Sequence, residues 1–304
     1  MQGRLKSKRI VRGASTARRS RPTLKRSSRR PVISYAVTNR AQSVWRDVEA
    51  IRERVPLVHN ITNFVVMNTT ANALLALGAS PVMAHALEEV AEMAGLASSL
   101  VLNIGTLSPA WVDAMVVAGR EANRKDIPVV IDPVGAGATS FRNESMRRLL
   151  AEVRPAVVRG NASEIRALYY LEPGTKGVDS THTTEQALGA ARGLAEALQC
   201  VVCTSGATDL IVAPTGVVRV SNGHPMMTRV TGLGCTSTAL IGAFAAVNPS
   251  PFEAAAHAMA VMGIAGEMAA EHSPGPGSLQ LCFLDALFKI QAGDITSRLR
   301  LSVD

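Results

Sequence analysis

Val129-Val130-Ile131-Asp132-Pro133-Val134-Gly135-Ala136-Gly137 reads as a buried strand that ends in a carboxylate and opens into a glycine-rich loop. Three β-branched residues in a row show no polar alternation, as a parallel strand covered on both faces requires. Outward from this stretch, short apolar runs recur at 81–83, 100–104, 156–159 and 200–204. Helical patterns near 88–97, 109–124, 143–152, 161–169 and 184–198 separate or flank them. Two more helices are expected before them, at 43–55 and 62–77, the second stopped by Gly78 as a left-handed cap. Strand–helix alternation specifies α/β layers. Residues 209–213 and 217–220 flank Pro214-Thr215-Gly216, a hairpin signal that places antiparallel strands late in the sheet. The expected fold is a layered α/β fold with a mostly parallel central sheet, helices on both faces and a late antiparallel hairpin.

The rest of the composition narrows the function classes. A chain of 304 residues with 47% hydrophobic content holds one large core without requiring a second domain. Its 4% aromatic content argues against a surface that stacks bases or sugars. The longest apolar run, near 239–247, is far short of the roughly 18 residues of a membrane span. Four cysteines are too few for a disulfide scaffold and fit a reducing compartment. The net charge of +8 is local: residues 1–40 carry 13 Lys or Arg and no acid, leaving 19 basic against 24 acidic residues in 41–304. The division is therefore a disordered basic tail, 1–40, and one folded domain, 41–304. The tail's composition fits an organellar transit peptide, an extension without function, or an arm for RNA or membranes. The polar, turn-rich stretch 171–185 is a mobile connection or a lid.

Three segments carry candidate chemistry. Thr231-Gly232-Leu233-Gly234-Cys235-Thr236 precedes a helix of small residues at 237–246. Successive backbone N–H groups at a helix start make an anion cradle, against the plain alternative of a tight turn. Cys235 sits where cradle and helix meet; a helix N-terminus lowers a thiol's pKa, so it is a weak base, a hydrogen-bond donor or a nucleophile, or else a small packing residue. Asp132, at the carboxyl end of its strand, suits a hard cation such as Mg²⁺, or caps the next helix. Arg159-Gly160-Asn161-Ala162-Ser163-Glu164 marks another strand end, where Asn161 and Glu164 are spaced as a capping box. Cys200 and Cys203 face opposite sides of a strand and read as packing residues. The six histidines show no metal spacing, although His59 and His85 border element ends near a pocket.

These motifs, together with 57–63, 71–83 and 102–107, occur in an order over residues 44–290 that resembles the hydroxyethylthiazole kinase family, thiamine-salvage members of the ribokinase-like superfamily. The resemblance implies ATP-dependent phosphorylation of the hydroxyl of 4-methyl-5-(2-hydroxyethyl)thiazole in thiamine biosynthesis, with Mg²⁺. By matched position it puts Met83, Gly232 and Asn63 on the thiazole and Arg159 and Ser205 on ATP. It makes Asp132 and Glu164 the Mg²⁺-organising acids, and gives Cys235 the place of the Asp base of many wider relatives. It implies a homotrimer with active sites between subunits and a cytoplasmic enzyme needing neither nucleic acid nor membrane, with plastid or mitochondrion as the alternative should 1–40 be a transit peptide. The nearest rivals are a hydroxymethylpyrimidine or other small-alcohol kinase of the same superfamily, and a catalytically silent ligand-binding relative.

Overall fold

The apolar runs become strands of one sheet, the run at 81–83 as its edge. The computed structural model describes residues 40–171 and 184–304, so nearly all of the basic tail and of the 171–185 stretch lies outside the described residues. The strands are β1 (Leu57–Ile61), β2 (Ser80–Val82), β3 (Ser99–Asn103), β4 (Val129–Asp132), β5 (Val157–Asn161), β6 (Val201–Ser205), β7 (Asp209–Ala213), β8 (Gly216–Val220) and β9 (Leu301–Val303). They lie in the order β2-β1-β3-β4-β5-β6-β7-β8-β9. Pairings from β2 through β6 are parallel; those from β6 through β9 are antiparallel.

Period-2 geometry splits the inner strands between two cores. Val130 packs into one apolar cluster, whereas Val129 and Ile131 pack into the other. The first cluster also takes residues of α1 (Arg40–Arg54), α2 (Met67–Leu77), α8 (Leu233–Ala245), α9 (Pro251–Ala270), α10 (Pro276–Lys289) and α11 (Ala292–Arg298). The second takes α3 (Val90–Leu96), α4 (Pro109–Arg124), α5 (Ser140–Glu152), α6 (Ala162–Leu171) and α7 (Thr184–Leu198). The α/β layering and the late hairpin are thus as the sequence predicts. Cys203 and Cys200 likewise fall into opposite clusters.

Some boundaries differ from expectation. The segment 57–61 is a strand whose polar members, His59 and Asn60, are fully buried and bonded to backbone carbonyls. The helix expected over 62–77 begins at Met67; residues 62–66 instead form the turn that carries Asn63 to the sheet's edge, closed by Val66 N–H donating to the Asn63 carbonyl at 3.2 Å. Gly78 ends that helix at φ 113°. The edge strand β9 had no sequence signal. In α8 the small residues Ala239, Gly242 and Ala243 are buried, letting the helix lie close across β3 and β4 with its N-terminus at their carboxyl ends.

Candidate active site

Parallel strands deliver their carboxyl ends to one side of the sheet, and the chain reverses its direction of travel between β1 and β3. In open α/β sheets that reversal opens a crevice where ligands bind. Here the β1–α2 turn supplies Asn63, β3 ends at Asn103, β4 at Asp132, and β5 supplies Arg159. A cavity of about 380 Å³ joins Asn63, Asp132, Arg159, Glu164, Gly232 and Cys235. A second, of about 650 Å³, is lined by Arg159, Ser205, Asp209, Asn222–Pro225 and Gly234. Arg159 and Gly234 border both.

A chain of hydrogen bonds fixes the smaller cavity. Asn63 Nδ2 donates to Asn103 Oδ1 at 2.8 Å, and Gly105 N–H donates to the same oxygen at 2.9 Å. That orients Asn103 Nδ2 toward Asp132 Oδ2, 2.9 Å away, where Thr238 Oγ1 also donates at 2.8 Å. Asp132 Oδ1 is buried with no partner. Burial lifts the Asp132 carboxyl to about 6, with the Arg159 charge and the Thr238 bond opposing the rise.

Cys235 lies at 3.5 Å from Asn63 Nδ2. Its thiol corrects one expectation. Burial, and then the Asp132 charge, raise it to about 11 and outweigh any lowering by the helix start. At neutral pH it is a thiol. The turn before it is built by Gly232 at φ 83°, where a Cβ would stand 2.6 Å from Val66 Cγ1, so only glycine fits.

Arg159 is 8% exposed despite its charge. Its NH2 donates to Ser205 Oγ at 2.8 Å, its Nε is buried without a partner, and no carboxylate forms an ion pair with it among the described residues. A buried guanidinium in that state favours an anion. Glu164 serves structure as well. It closes the expected capping box with Asn161 (2.8 and 3.0 Å) and accepts from Gly135 N–H at 2.9 Å, fastening the two loops together.

The remaining sequence candidates lie apart. Met83 follows β2, half-buried, and lines neither cavity within one chain. His59 is spent on the Ala84 carbonyl at 2.7 Å, and His85 stacks on Trp111 with centroids 4.2 Å apart. Sequence reasoning missed the roles of Asn103, Thr238, Asp209 and Asn222; for Asn103 and Asp209 the available signal was a polar residue at the end of an apolar strand. Burial also lifts Asp209 to about 6, opposed by the Gly206 N–H bond and the Arg159 charge.

No group of three or more His, Cys, Asp or Glu side chains positioned for a metal occurs among the described residues. The donor set still fits Mg²⁺: the free Asp132 Oδ1 and the Glu164 carboxylate share one cavity, and this ion usually takes one or two carboxylates with water and phosphate oxygens.

Known proteins match the chain over most of its length. A sequence model of the hydroxyethylthiazole kinase family matches residues 48–293. A hydroxyethylthiazole kinase of Syntrophus aciditrophicus is 60% identical over 261 residues, covering 86% of this chain and 97% of that protein. That of Leptothrix cholodnii is 52% identical, covering 89% and 99%. The solved hydroxyethylthiazole kinase protein from Pyrococcus horikoshii superposes with a TM-score of 0.81 at 43% identity, covering 86% of this chain and 99% of that one. A pyridoxal kinase from Staphylococcus aureus shares the fold alone, with a TM-score of 0.58 at 15% identity over 82% of this chain and 99% of its own. With its family match spanning most of the chain and relatives above half identity over nearly their full length, this chain belongs to the hydroxyethylthiazole kinase family.

Proposed function

We propose that the chain transfers the γ-phosphoryl group of ATP to the hydroxyl of 4-methyl-5-(2-hydroxyethyl)thiazole, in thiamine biosynthesis or salvage. One observation carries the reading: two cavities, one walled by Asn63 and Cys235 and one by Ser205 and Asp209, meet at Arg159 and Gly234. The nucleotide occupies the larger and the alcohol the smaller, with the transferred group at their junction.

Phosphoryl transfer needs alignment and charge stabilisation more than covalent work. Arg159 binds the transferring phosphate oxygens, its guanidinium held by Ser205. The N–H groups at 232–235 and the α8 dipole face the same charge. Asn63 and Gly232 bound the thiazole. Asp132 and Glu164 would hold Mg²⁺, which would supply positive charge to the nucleotide's phosphates. A loose transition state releases the alcohol proton late, to an oxygen of the transferred phosphoryl group, so the thiol of Cys235 orients the hydroxyl and no strong base is required. Met83 reaches the thiazole across a subunit boundary in a homotrimer; its place beside edge strand β2, outside its own chain's cavities, supports that reading. The enzyme works in the cytoplasm; among the described residues no helix is long and apolar enough to cross a membrane.

The test is coupled detection of ADP with a panel of thiazole and pyrimidine alcohols. The hydroxyethylthiazole is expected to give the highest kcat/KM, and preference for a hydroxymethylpyrimidine would overturn the assignment. Cys235 gives a sharper check. Cys235→Ala is expected to lower kcat modestly, by about tenfold or less, whereas Cys235→Asp, which supplies a base beside the hydroxyl, retains or raises it. Abolition of turnover by both substitutions in folded protein would point to covalent or packing roles instead.

A further inference from the structure

The end of the chain, beyond the family match at residue 293, reaches the wall of the larger cavity. That wall is the segment 222–228, which follows β8. Asn222 is buried, and its side-chain bonds converge on few partners. Its Nδ2 donates to the Arg298 carbonyl at 2.8 Å and to Glu267 Oε1 at 3.1 Å, while its Oδ1 accepts from Arg300 N–H at 2.8 Å. Gly223 N–H donates to the same Glu267 oxygen at 2.8 Å. The Arg300 guanidinium closes the ring, donating to Glu267 Oε1 at 2.5 Å and to the Ser221 carbonyl at 2.8 Å. Ser221 N–H returns a bond to the Arg300 carbonyl at 2.9 Å. Pairing of β9 with β8 and a bidentate Arg219–Asp304 contact fix the last residues in register.

We propose that Arg300 and Glu267 are positioning residues for the nucleotide, acting through Asn222 and Gly223 on the cavity wall. This inference rests on the reading that ATP occupies the larger cavity. None of these groups faces the smaller cavity, so the effect is confined to one of the two substrates. Residues 225–229 of this wall form a 3-10 turn capped by His224, whose Nδ1 accepts from Met226 N–H at 3.2 Å, and the bonds to Glu267 and to residues 298–300 fasten the Asn222–Gly223 step that leads into it. The guanidinium donates to the Ser221 carbonyl through Nε and Nη2 and to the Glu267 carboxylate through Nη2, a planar arrangement that an ammonium reproduces only in part.

The experiment compares Arg300→Met, Arg300→Lys and Glu267→Gln with the wild type, measuring KM for ATP, KM for the thiazole alcohol, kcat and thermal midpoint on the full chain. Arg300→Met is expected to raise KM for ATP roughly tenfold, leaving KM for the alcohol and kcat within about twofold. Arg300→Lys should recover part of the loss, and Glu267→Gln, whose amide oxygen still accepts from Gly223, should be milder than Arg300→Met. Unchanged KM for ATP in Arg300→Met, or an equal rise in both KM values with a lowered midpoint, overturns the proposal. Thr228→Trp, at the exposed rim of the larger cavity, separates the two levels. ATP affinity unaffected by that obstruction would refute the nucleotide assignment itself, whereas lost affinity there with an inert Arg300→Met refutes only the positioning role.

Discussion

Arg159→Met is expected to reduce kcat/KM for phosphorylation of the thiazole alcohol by about 10²- to 10³-fold while the protein stays folded. The guanidinium borders both cavities, and among the described residues it is the arginine or lysine side chain that lines both, at the junction where the proposed transfer would take place. Its ground-state bonding is sparse: one hydrogen bond to Ser205 Oγ and a buried Nε without a partner. Its removal spares the fold the cost of desolvating a guanidinium but leaves the buried Asp132 and Asp209 carboxylates less compensated, so the thermal midpoint is measured beside the rate to separate lost catalysis from lost folding. Arg159→Lys should recover only part of the rate, because an ammonium cannot present a planar fork to phosphate oxygens. A second readout follows from electrostatics. The Arg159 charge restrains the upward shifts of both Asp132 and Asp209. In Arg159→Met those carboxyls should titrate higher still, moving the acidic limb of the pH–rate profile to higher pH. Activity within threefold of wild type, or a loss that merely follows unfolding, would defeat the catalytic assignment of this residue.

How much of this was legible in the sequence depends on whether a residue's role is local. The helices α4 and α7 were bounded as observed, α4 because Ser108 and Pro109 supply a cap and a first-turn proline that act within a few residues. The strand end at Asp132, the Arg159–Asn161 stretch that closes β5 two residues later than expected, and the Gly232–Cys235 turn announced themselves by glycine and charge after apolar runs. In β1 the two buried polar residues broke the apolar run, because their compensation comes from carbonyls that the sequence does not reveal. Asn103 and Thr238 escaped notice for a related reason. Their roles exist only once β3, β4 and α8 are in register, when both donate to one oxygen of Asp132. The sense of the Cys235 shift was misjudged for the same cause: the helix start is local, but the burial and the neighbouring carboxylate come from the tertiary fold. The Arg300 contacts lie beyond reach of any motif, since they join positions more than 30 residues apart.

Asp132→Asn should separate stability from activity in opposite directions. The folded-state carboxyl is raised from 3.8 to about 6, chiefly by burial. Between those values the folded chain keeps a proton that the unfolded chain has released, so stability declines as pH rises through that window and the deficit persists above it. At 1.36 kcal/mol per pKa unit the ionised side chain destabilises the neutral-pH fold by about 3 kcal/mol. An asparagine escapes that cost and fits the same hydrogen bonds. Its carbonyl takes the place of Oδ2, accepting from Asn103 Nδ2 and Thr238 Oγ1, and its amide nitrogen takes the place of Oδ1, which has no partner to lose. The variant should therefore melt several degrees higher at pH 7.5, and the difference should vanish as pH falls below about 4. Asp209, with a similar shift, is present in both proteins and cancels in the comparison. On the proposed role of Asp132 toward the cation, turnover should fall by at least about 10²-fold, since its charge beside Arg159 is gone. Wild-type kcat/KM should rise with pH across about 6 as Asp132 ionises in the free enzyme. An Asp132→Asn protein that is both active and no more stable would mean this carboxylate neither carries charge in the reaction nor suffers from its burial. One that is inactive and less stable would make it a structural group whose loss unfolds the crevice.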